Sequence, residues 1–111
     1  MSARILVVDD DTATREVLAR FLARAGYSVE SCASPAAALA QLGSAAFDVL
    51  LTDFVMPEGS GLDLITRATQ LYPHLRCVIM SGHPRSADAA ASIAWIEKPI
   101  DINKLLAAIR Q

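Results

Sequence analysis

The apolar residues of this chain form short continuous runs that alternate with stretches of helical spacing. Residues 4–8 are almost wholly aliphatic, which is typical of a strand buried on both faces of a sheet. In the stretch that follows, apolar residues recur three and four positions apart, which predicts an amphipathic helix that ends at Gly26. The residues that repeat at this helical spacing are Val17, Leu18, Phe21, Leu22 and Ala25.

The same alternation continues through the rest of the chain. Ser34 and Pro35 open a second helix that extends through Leu42, because Ser caps helices and Pro fits their first turn. A third helix closes at Pro73, and a last amphipathic helix follows Asp101 as its N-cap. The predicted strands cover residues 4–8, 27–32, 48–52, 75–80 and 94–96.

Strands that alternate with helices predict a parallel sheet covered on both faces, because parallel strands need crossover connections. The fold class is therefore α/β, a doubly wound five-stranded parallel sheet of order 2-1-3-4-5 as in flavodoxin-like proteins. With 111 residues there is room for one core, so we expect a single domain over residues 1–111. Ligands of such sheets bind beyond the C-terminal ends of the strands.

Composition and charge narrow the classes of function. The net charge is −2 and there is no basic block, which argues against nucleic-acid binding by this domain. No apolar run approaches the roughly 20 residues needed to span a bilayer, so we expect no membrane association and a cytoplasmic location. Cys32 and Cys77 lack the CxxC spacing of zinc sites and are expected to be reduced, buried and inert.

Polar side chains stand where the predicted strands end. They are Asp9 and Asp10 after the first strand, Asp53 after the third, Ser81 after the fourth and Lys98 after the fifth. Two like charges about 4 Å apart repel by about 1 to 4 kcal/mol, so these carboxylates need a compensating cation. Magnesium favours oxygen ligands and commonly takes one or two carboxylates with a phosphate oxygen, and carboxylates can become aspartyl phosphates. The strand ends therefore predict phosphoryl transfer onto Asp53 beside Mg²⁺.

Each residue taken alone also has a simpler interpretation. Asp11 is best interpreted as a helix cap, and capping explains Asp9 and Asp10 equally well when they are considered alone. Ser81 before Gly82 is typical of a turn, and a single lysine is usually a solvated charge. The functional interpretation depends on these polar residues occurring together in one chain, at the ends of four different strands.

Five segments in a fixed order then carry a family pattern: residues 5–11, 48–57, 61–62, 81–82 and 98–99. In these segments, and over essentially the whole chain, the sequence closely resembles the receiver domains of bacterial two-component response regulators. The resemblance implies a phosphoacceptor rather than an enzyme. A sensor histidine kinase or a histidine phosphotransfer protein would be the donor, and an unknown downstream protein would read the outcome.

The resemblance also implies individual roles. Asp53 would be the acceptor, and Asp9 and Asp10 would serve Mg²⁺ together with the backbone carbonyl of Val55. Ser81 would be the switch hydroxyl. Lys98 would contact the phosphoryl group, and the bond from Lys98 to Pro99 is typically cis in this family.

Departures from the family pattern concern the switch. Gly82 replaces the usual Ala and loosens the loop after Ser81. Trp95 replaces the usual Tyr or Phe at the aromatic switch position, where it is equally well interpreted as a core aromatic. The resemblance implies that Val55 and His83, two residues after Asp53 and Ser81, modulate the phosphate lifetime, although His83 is equally well interpreted as a neutral surface-loop residue. The segment 83–94 is short, which predicts a shortened, mobile or partly irregular fourth helix around residues 87–92.

Two alternatives stay open at this point. One is a pseudo-receiver that binds partners without phosphorylation. The other is a haloacid-dehalogenase-type phosphohydrolase, for which Asp9 and Asp11 have the right spacing but Ala13 does not match. The cognate kinase, the oligomeric state, and whether the domain acts alone or within a longer regulator are not determined by the sequence.

Overall fold

A computed structural model of the protein describes residues 3–110. Seven strands occur within this range. Five of them form a parallel sheet of order β2-β1-β3-β6-β7, which is the doubly wound order 2-1-3-4-5 predicted from the sequence. The strands are β1 (Arg4–Val8), β2 (Ser28–Cys32), β3 (Val49–Asp53), β4 (Val55–Met56), β5 (Gly59–Ser60), β6 (Arg76–Ser81) and β7 (Ala94–Glu97).

The helices begin at capped positions. Asp11, Ser34 and Ser60 each accept a hydrogen bond from a backbone N–H in the first turn, and Asp101 accepts one from the N–H of Asn103 at 2.9 Å. The predicted caps at residues 11, 34 and 101 are therefore confirmed. The helices are α1 (Thr12–Arg24), α2 (Pro35–Ser44), α3 (Gly61–Leu71) and α4 (Ile102–Arg110).

Alternate residues of the central strands supply two separate core clusters, because successive side chains of a strand point to opposite faces. Leu6, Val8 and Leu50 pack with α2 and α3 on one face. Ile5, Val7 and Leu51 pack with α1 and α4 on the other face. This double covering buries the apolar residues of β1, β3 and β6, so the polar residues at their ends are held at one defined edge of the sheet.

The predicted fourth helix is wrong. Residues 82–93 contain turns and bends, and no helix is present in this part of the described chain. The guanidinium of Arg85 donates to the carbonyls of Ile93 at 2.7 Å and Ala90 at 2.6 Å. The hydroxyl of Ser86 accepts from the N–H of Asp88 at 3.2 Å, which offers the backbone an alternative to a helical turn. The segment is therefore a loop held by side-chain hydrogen bonds.

The apolar repeat of α1 is buried only in part. Leu18 and Leu22 are buried, but Val17 and Phe21 are 50% and 48% exposed. One residue along a helix is a rotation of about 100°, so the buried stripe is narrower than the apolar spacing suggested. The two cysteines, in contrast, are free and buried as predicted. Within residues 3–110, no helix combines the length and apolarity needed to cross a membrane.

Candidate functional site

Three carboxylates meet at the C-terminal edge of the central strands. β1 and β3 pair in parallel with Val8 opposite Thr52, so the residues that follow, Asp9 and Asp53, are neighbours. Asp9, Asp10 and Asp53 each offer an oxygen within 4.8 Å of the other two. Asp9 is buried, Asp53 is partly buried and Asp10 is exposed, so the cluster opens toward solvent on one side.

Asp9 is the least satisfied member of this cluster. One oxygen, Oδ1, accepts a hydrogen bond from the N–H of Asp11 at 2.9 Å, whereas Oδ2 is buried and has no hydrogen-bond partner among the described residues. Burial raises the pKa of the Asp9 carboxyl, and the charges of Asp53 and Asp10 add to this effect. A buried, unpartnered carboxylate oxygen beside two other carboxylates fits an oxygen-binding divalent cation.

Asp53 forms an ion pair with a lysine side chain. Lys98 Nζ lies 3.1 Å from Asp53 Oδ1, and the N–H of Phe54 donates to the same oxygen at 3.0 Å. The N–H of Lys98 donates to the carbonyl of Ser81 at 2.7 Å, which ties the ends of β6 and β7 together. The peptide bond between Lys98 and Pro99 is cis. The hydrogen bond from Lys98 to the end of β6, the strand beside β3, thus helps to place the lysine against the candidate acceptor Asp53.

Ser81 is buried at the end of β6, one residue beyond the position that pairs with Asp53. Its hydroxyl oxygen accepts a hydrogen bond from the N–H of His83 at 2.9 Å. The serine oxygen therefore accepts from its own loop, while its O–H remains available as a donor.

The two aromatic residues near the site contact each other. The rings of Phe54 and Trp95 lie 4.9 Å apart at 59°, and Trp95 Nε1 donates to the carbonyl of His83 at 3.0 Å. Trp95 thereby touches both the residue after Asp53 and the loop after Ser81. Val55 lies in β4 and is 60% exposed, and His83 is exposed in the loop.

Sequence reasoning gave no role to three residues that hold the site. Gly61 begins α3 so close to β3 that a Cβ there would lie 2.1 Å from the carbonyl oxygen of Asp53. The side chain of Arg15 donates to the carbonyl of Asp9 at 2.8 Å. The buried hydroxyl of Thr52 donates to the carbonyl of Asp53 at 2.9 Å. A polar residue within an aliphatic strand was the available signal for Thr52.

Comparison with known proteins identifies the family. The family model described as the response regulator receiver domain matches residues 5–110. The chain belongs to this family. A receiver domain is a phosphoacceptor signalling module of two-component systems rather than a classical enzyme, and receiver domains partner with histidine kinases. The match over nearly the whole chain gives no support to the phosphohydrolase alternative.

The relatives of this receiver domain include a protein of similar length and a much longer one. The receiver domain is 34% identical to the response regulator receiver protein CpdR of Brucella abortus, covering 97% of this chain and 94% of that protein. It is 37% identical to the DNA-binding transcriptional regulator NtrC of Escherichia coli, covering 96% of this chain and 24% of NtrC. The chain thus spans about a quarter of the length of the NtrC relatives that it matches.

A solved structure resembles this receiver domain closely. The response regulator TrrA of Thermotoga maritima, in complex with Mg²⁺ and BeF, superimposes with a TM-score of 0.90 at 25% identity, covering 99% of this chain and 97% of that one. The carboxylates of Asp9, Asp10 and Asp53 are consistent with a magnesium site of this kind.

Proposed function

We propose that Asp53 is the phosphoacceptor of this receiver domain and takes its phosphoryl group from a phosphohistidine. The donor would be a sensor histidine kinase or a histidine phosphotransfer protein, and the modified surface would be read by a downstream protein. The observation that carries the proposal is the convergence at one strand edge of three carboxylates, one of them with a buried unpartnered oxygen. The lysine ammonium at 3.1 Å from Asp53 supports the same assignment.

The reaction needs positioning more than acid–base chemistry. A carboxylate oxygen of Asp53 attacks phosphorus, and the new O–P bond forms as the P–N bond to the donor imidazole breaks. The leaving nitrogen keeps the electron pair and takes a proton from water. Because an ionised carboxylate has no proton to lose, no general base is required. The product is an acyl phosphate on Asp53.

Mg²⁺ is the ion we propose for the carboxylate cluster. Asp9, Asp10 and Asp53 would hold it, with the backbone carbonyl of Val55 as a further oxygen ligand. When bound, it supplies positive charge that offsets the charge on the transferring phosphoryl oxygens. Lys98 would supply a second positive charge at Oδ1 of Asp53.

The switch and the lifetime of the phosphate would depend on the loop after β6. The Ser81 oxygen accepts from the N–H of His83, and its O–H would be free to donate to a phosphoryl group on Asp53. A movement of Ser81 toward that group would be passed to His83, whose carbonyl accepts the hydrogen bond from the indole of Trp95. Val55 and His83 flank the site on exposed segments, where they can hinder or orient a water that attacks the acyl phosphate.

Labelling with ³²P-acetyl phosphate in the presence of Mg²⁺ tests the proposal without knowledge of the kinase. We expect the folded wild-type protein to acquire a label that hydroxylamine removes, as expected of an acyl phosphate, and Asp53→Asn to acquire none. A folded wild type that takes no phosphate would favour the pseudo-receiver alternative. Equal labelling of Asp53→Asn would show that a different residue accepts the phosphoryl group.

A further inference from the structure

Three polar or charged side chains are buried among the described residues, namely Asp9, Thr52 and Ser81. Two of them already belong to the proposed site. The third, Thr52, lies at 0% exposure in β3, directly before Asp53. Burying a hydroxyl in an apolar core costs free energy unless it is hydrogen-bonded. The hydrogen bond of the Thr52 hydroxyl offsets this cost, and it also constrains the group that accepts it.

The hydroxyl of Thr52 holds one peptide unit. Its Oγ1 donates to the carbonyl oxygen of Asp53 at 2.9 Å. That carbonyl belongs to the peptide that joins Asp53 to Phe54, and its N–H at the other end is the N–H of Phe54. Because a peptide unit is planar, orienting the carbonyl also orients this N–H.

The N–H of Phe54 in turn holds the carboxylate of Asp53. It lies 3.0 Å from Asp53 Oδ1 and 2.9 Å from the carbonyl of Met80, so it contacts both the side chain and the neighbouring strand. Lys98 Nζ meets the same Oδ1 at 3.1 Å. Among the hydrogen bonds of residues 3–110, those to this carboxylate end on Oδ1. The second oxygen, Oδ2, is thereby left for a new bond.

The hydroxyl and the methyl group of Thr52 face different neighbours. The methyl carbon Cγ2 would lie 3.0 Å from a Cβ at position 61, so it faces the start of α3. The hydroxyl faces the Asp53 carbonyl instead. A valine at position 52 would put a methyl group where the hydroxyl now lies, at a distance of 2.9 Å that suits a hydrogen bond and crowds a methyl. The carbonyl would have to turn away.

We propose that Thr52 is a positioning residue for phosphorylation, whose buried hydroxyl orients the Asp53–Phe54 peptide and through it the acceptor carboxylate. The inference rests on the proposed function of Asp53. Thr52 touches neither donor nor metal in this arrangement. It acts on the reaction through the N–H of Phe54 and the angle at which Asp53 presents its free oxygen.

The test compares four proteins: the wild type, Thr52→Val, Thr52→Ser and Thr52→Ala. The rate of labelling by saturating acetyl phosphate with Mg²⁺ is measured together with the ¹H–¹⁵N signal of Phe54. We expect Thr52→Val to be labelled about tenfold more slowly, the size of one misplaced hydrogen bond in a transition state. Thr52→Ser, which keeps the hydroxyl, should stay within about twofold of the wild type.

The serine and alanine variants form the matched pair, since both lack the methyl group and only serine has a hydroxyl. If Thr52→Val does not fold, the comparison of Thr52→Ser with Thr52→Ala tests the proposal in its place. Labelling of Thr52→Ala should be slow and its Phe54 amide signal displaced, while Thr52→Ser should resemble the wild type in both. A role in packing alone would slow serine and alanine equally and would overturn the proposal.

Two failures remain distinguishable. A wild type that takes no phosphate would overturn the proposed function and this inference with it. A labelled wild type whose rate and Phe54 signal are shared by Thr52→Val and Thr52→Ala would overturn only the role of Thr52. Asp53→Asn serves as the unlabelled control in every series.

Discussion

The two sides of the site are held in different ways. On the side of β1 and β3, Asp9 and Asp53 come directly after the buried residues Val8 and Thr52, and Gly61 and Thr52 fix the main chain of Asp53. On the side of β6 and β7, Ser81 and Lys98 are joined through a loop without a helix, which side-chain hydrogen bonds hold. The comparison indicates that the acceptor side is preorganised, whereas the switch side can rearrange at the cost of a few hydrogen bonds.

The largest effect is expected on the acceptor side, from Gly61→Ala. The new Cβ would lie 2.1 Å from the Asp53 carbonyl oxygen, so α3 and β3 would have to separate. We expect the free energy of unfolding to fall by about 3 kcal/mol or more, measured by urea denaturation. The matched control is Gly82→Ala on the switch side, where nothing lies within 4 Å of the added Cβ.

Gly82→Ala should change the free energy of unfolding by no more than about 0.5 kcal/mol. Similar losses in the two variants would contradict the contrast between a tightly packed acceptor side and an open switch side.

The second effect concerns the charge buried at Asp9. Without Mg²⁺, Asp9→Asn should raise the free energy of unfolding by about 1–2 kcal/mol, because an unpartnered buried carboxylate beside two others is removed. Thermal unfolding with and without Mg²⁺ measures this, and the stabilisation of the wild type by Mg²⁺ should be lost in the variant. Asp88→Asn, at an exposed loop position, is the control for an equal change in charge.

The difference in stability between the wild type and Asp9→Asn should change with pH in a defined direction. Burial raises the pKa of Asp9 in the folded state, so the folded protein binds a proton more tightly than the unfolded chain. Without Mg²⁺, the wild type should therefore lose stability relative to Asp9→Asn as the pH rises from about 4 through the raised pKa. An Asp9→Asn protein that is less stable than the wild type at neutral pH would contradict this assignment.

The smallest effect is expected on the switch side, from Arg85→Lys. Lysine cannot supply the two parallel donors that reach the carbonyls of Ala90 and Ile93. We expect a loss of about 1 kcal/mol or less, with faster amide hydrogen exchange over residues 86–93 and unchanged exchange in β1 and β3. Arg67→Lys, exposed on α3, is the control. Faster exchange throughout the sheet would show that the two sides are not separate.

Local patterns were enough to predict the central sheet and the caps of α1, α2 and α4. Strand boundaries differ by about one residue, and the strand order follows from the alternation of strands and helices. Strong signals of this kind are local, since a buried strand or a Ser-Pro helix start is specified by adjacent residues. The sequence therefore located Asp9, Asp10 and Asp53 correctly at one edge.

The features that were missed depend on close approach between distant segments. Glycine at position 61 is required by a carbonyl eight residues earlier in the chain, which no local pattern encodes. Val17 and Phe21 belong to the apolar repeat of α1 but are exposed, because the apolar spacing alone does not fix which of its residues the sheet covers. The segment after Ser81 became a loop because Arg85 and Ser86 satisfy backbone groups that a helix would otherwise pair.

The most direct test of the central claim is to locate the phosphoryl group by chemistry. Protein treated with acetyl phosphate and Mg²⁺ is reduced with borohydride, which converts an aspartyl phosphate into homoserine, and its peptides are analysed by mass spectrometry. The account predicts homoserine at position 53 and unchanged aspartates at positions 9 and 10. Homoserine at position 9, or at none of the three positions in folded protein, would contradict it.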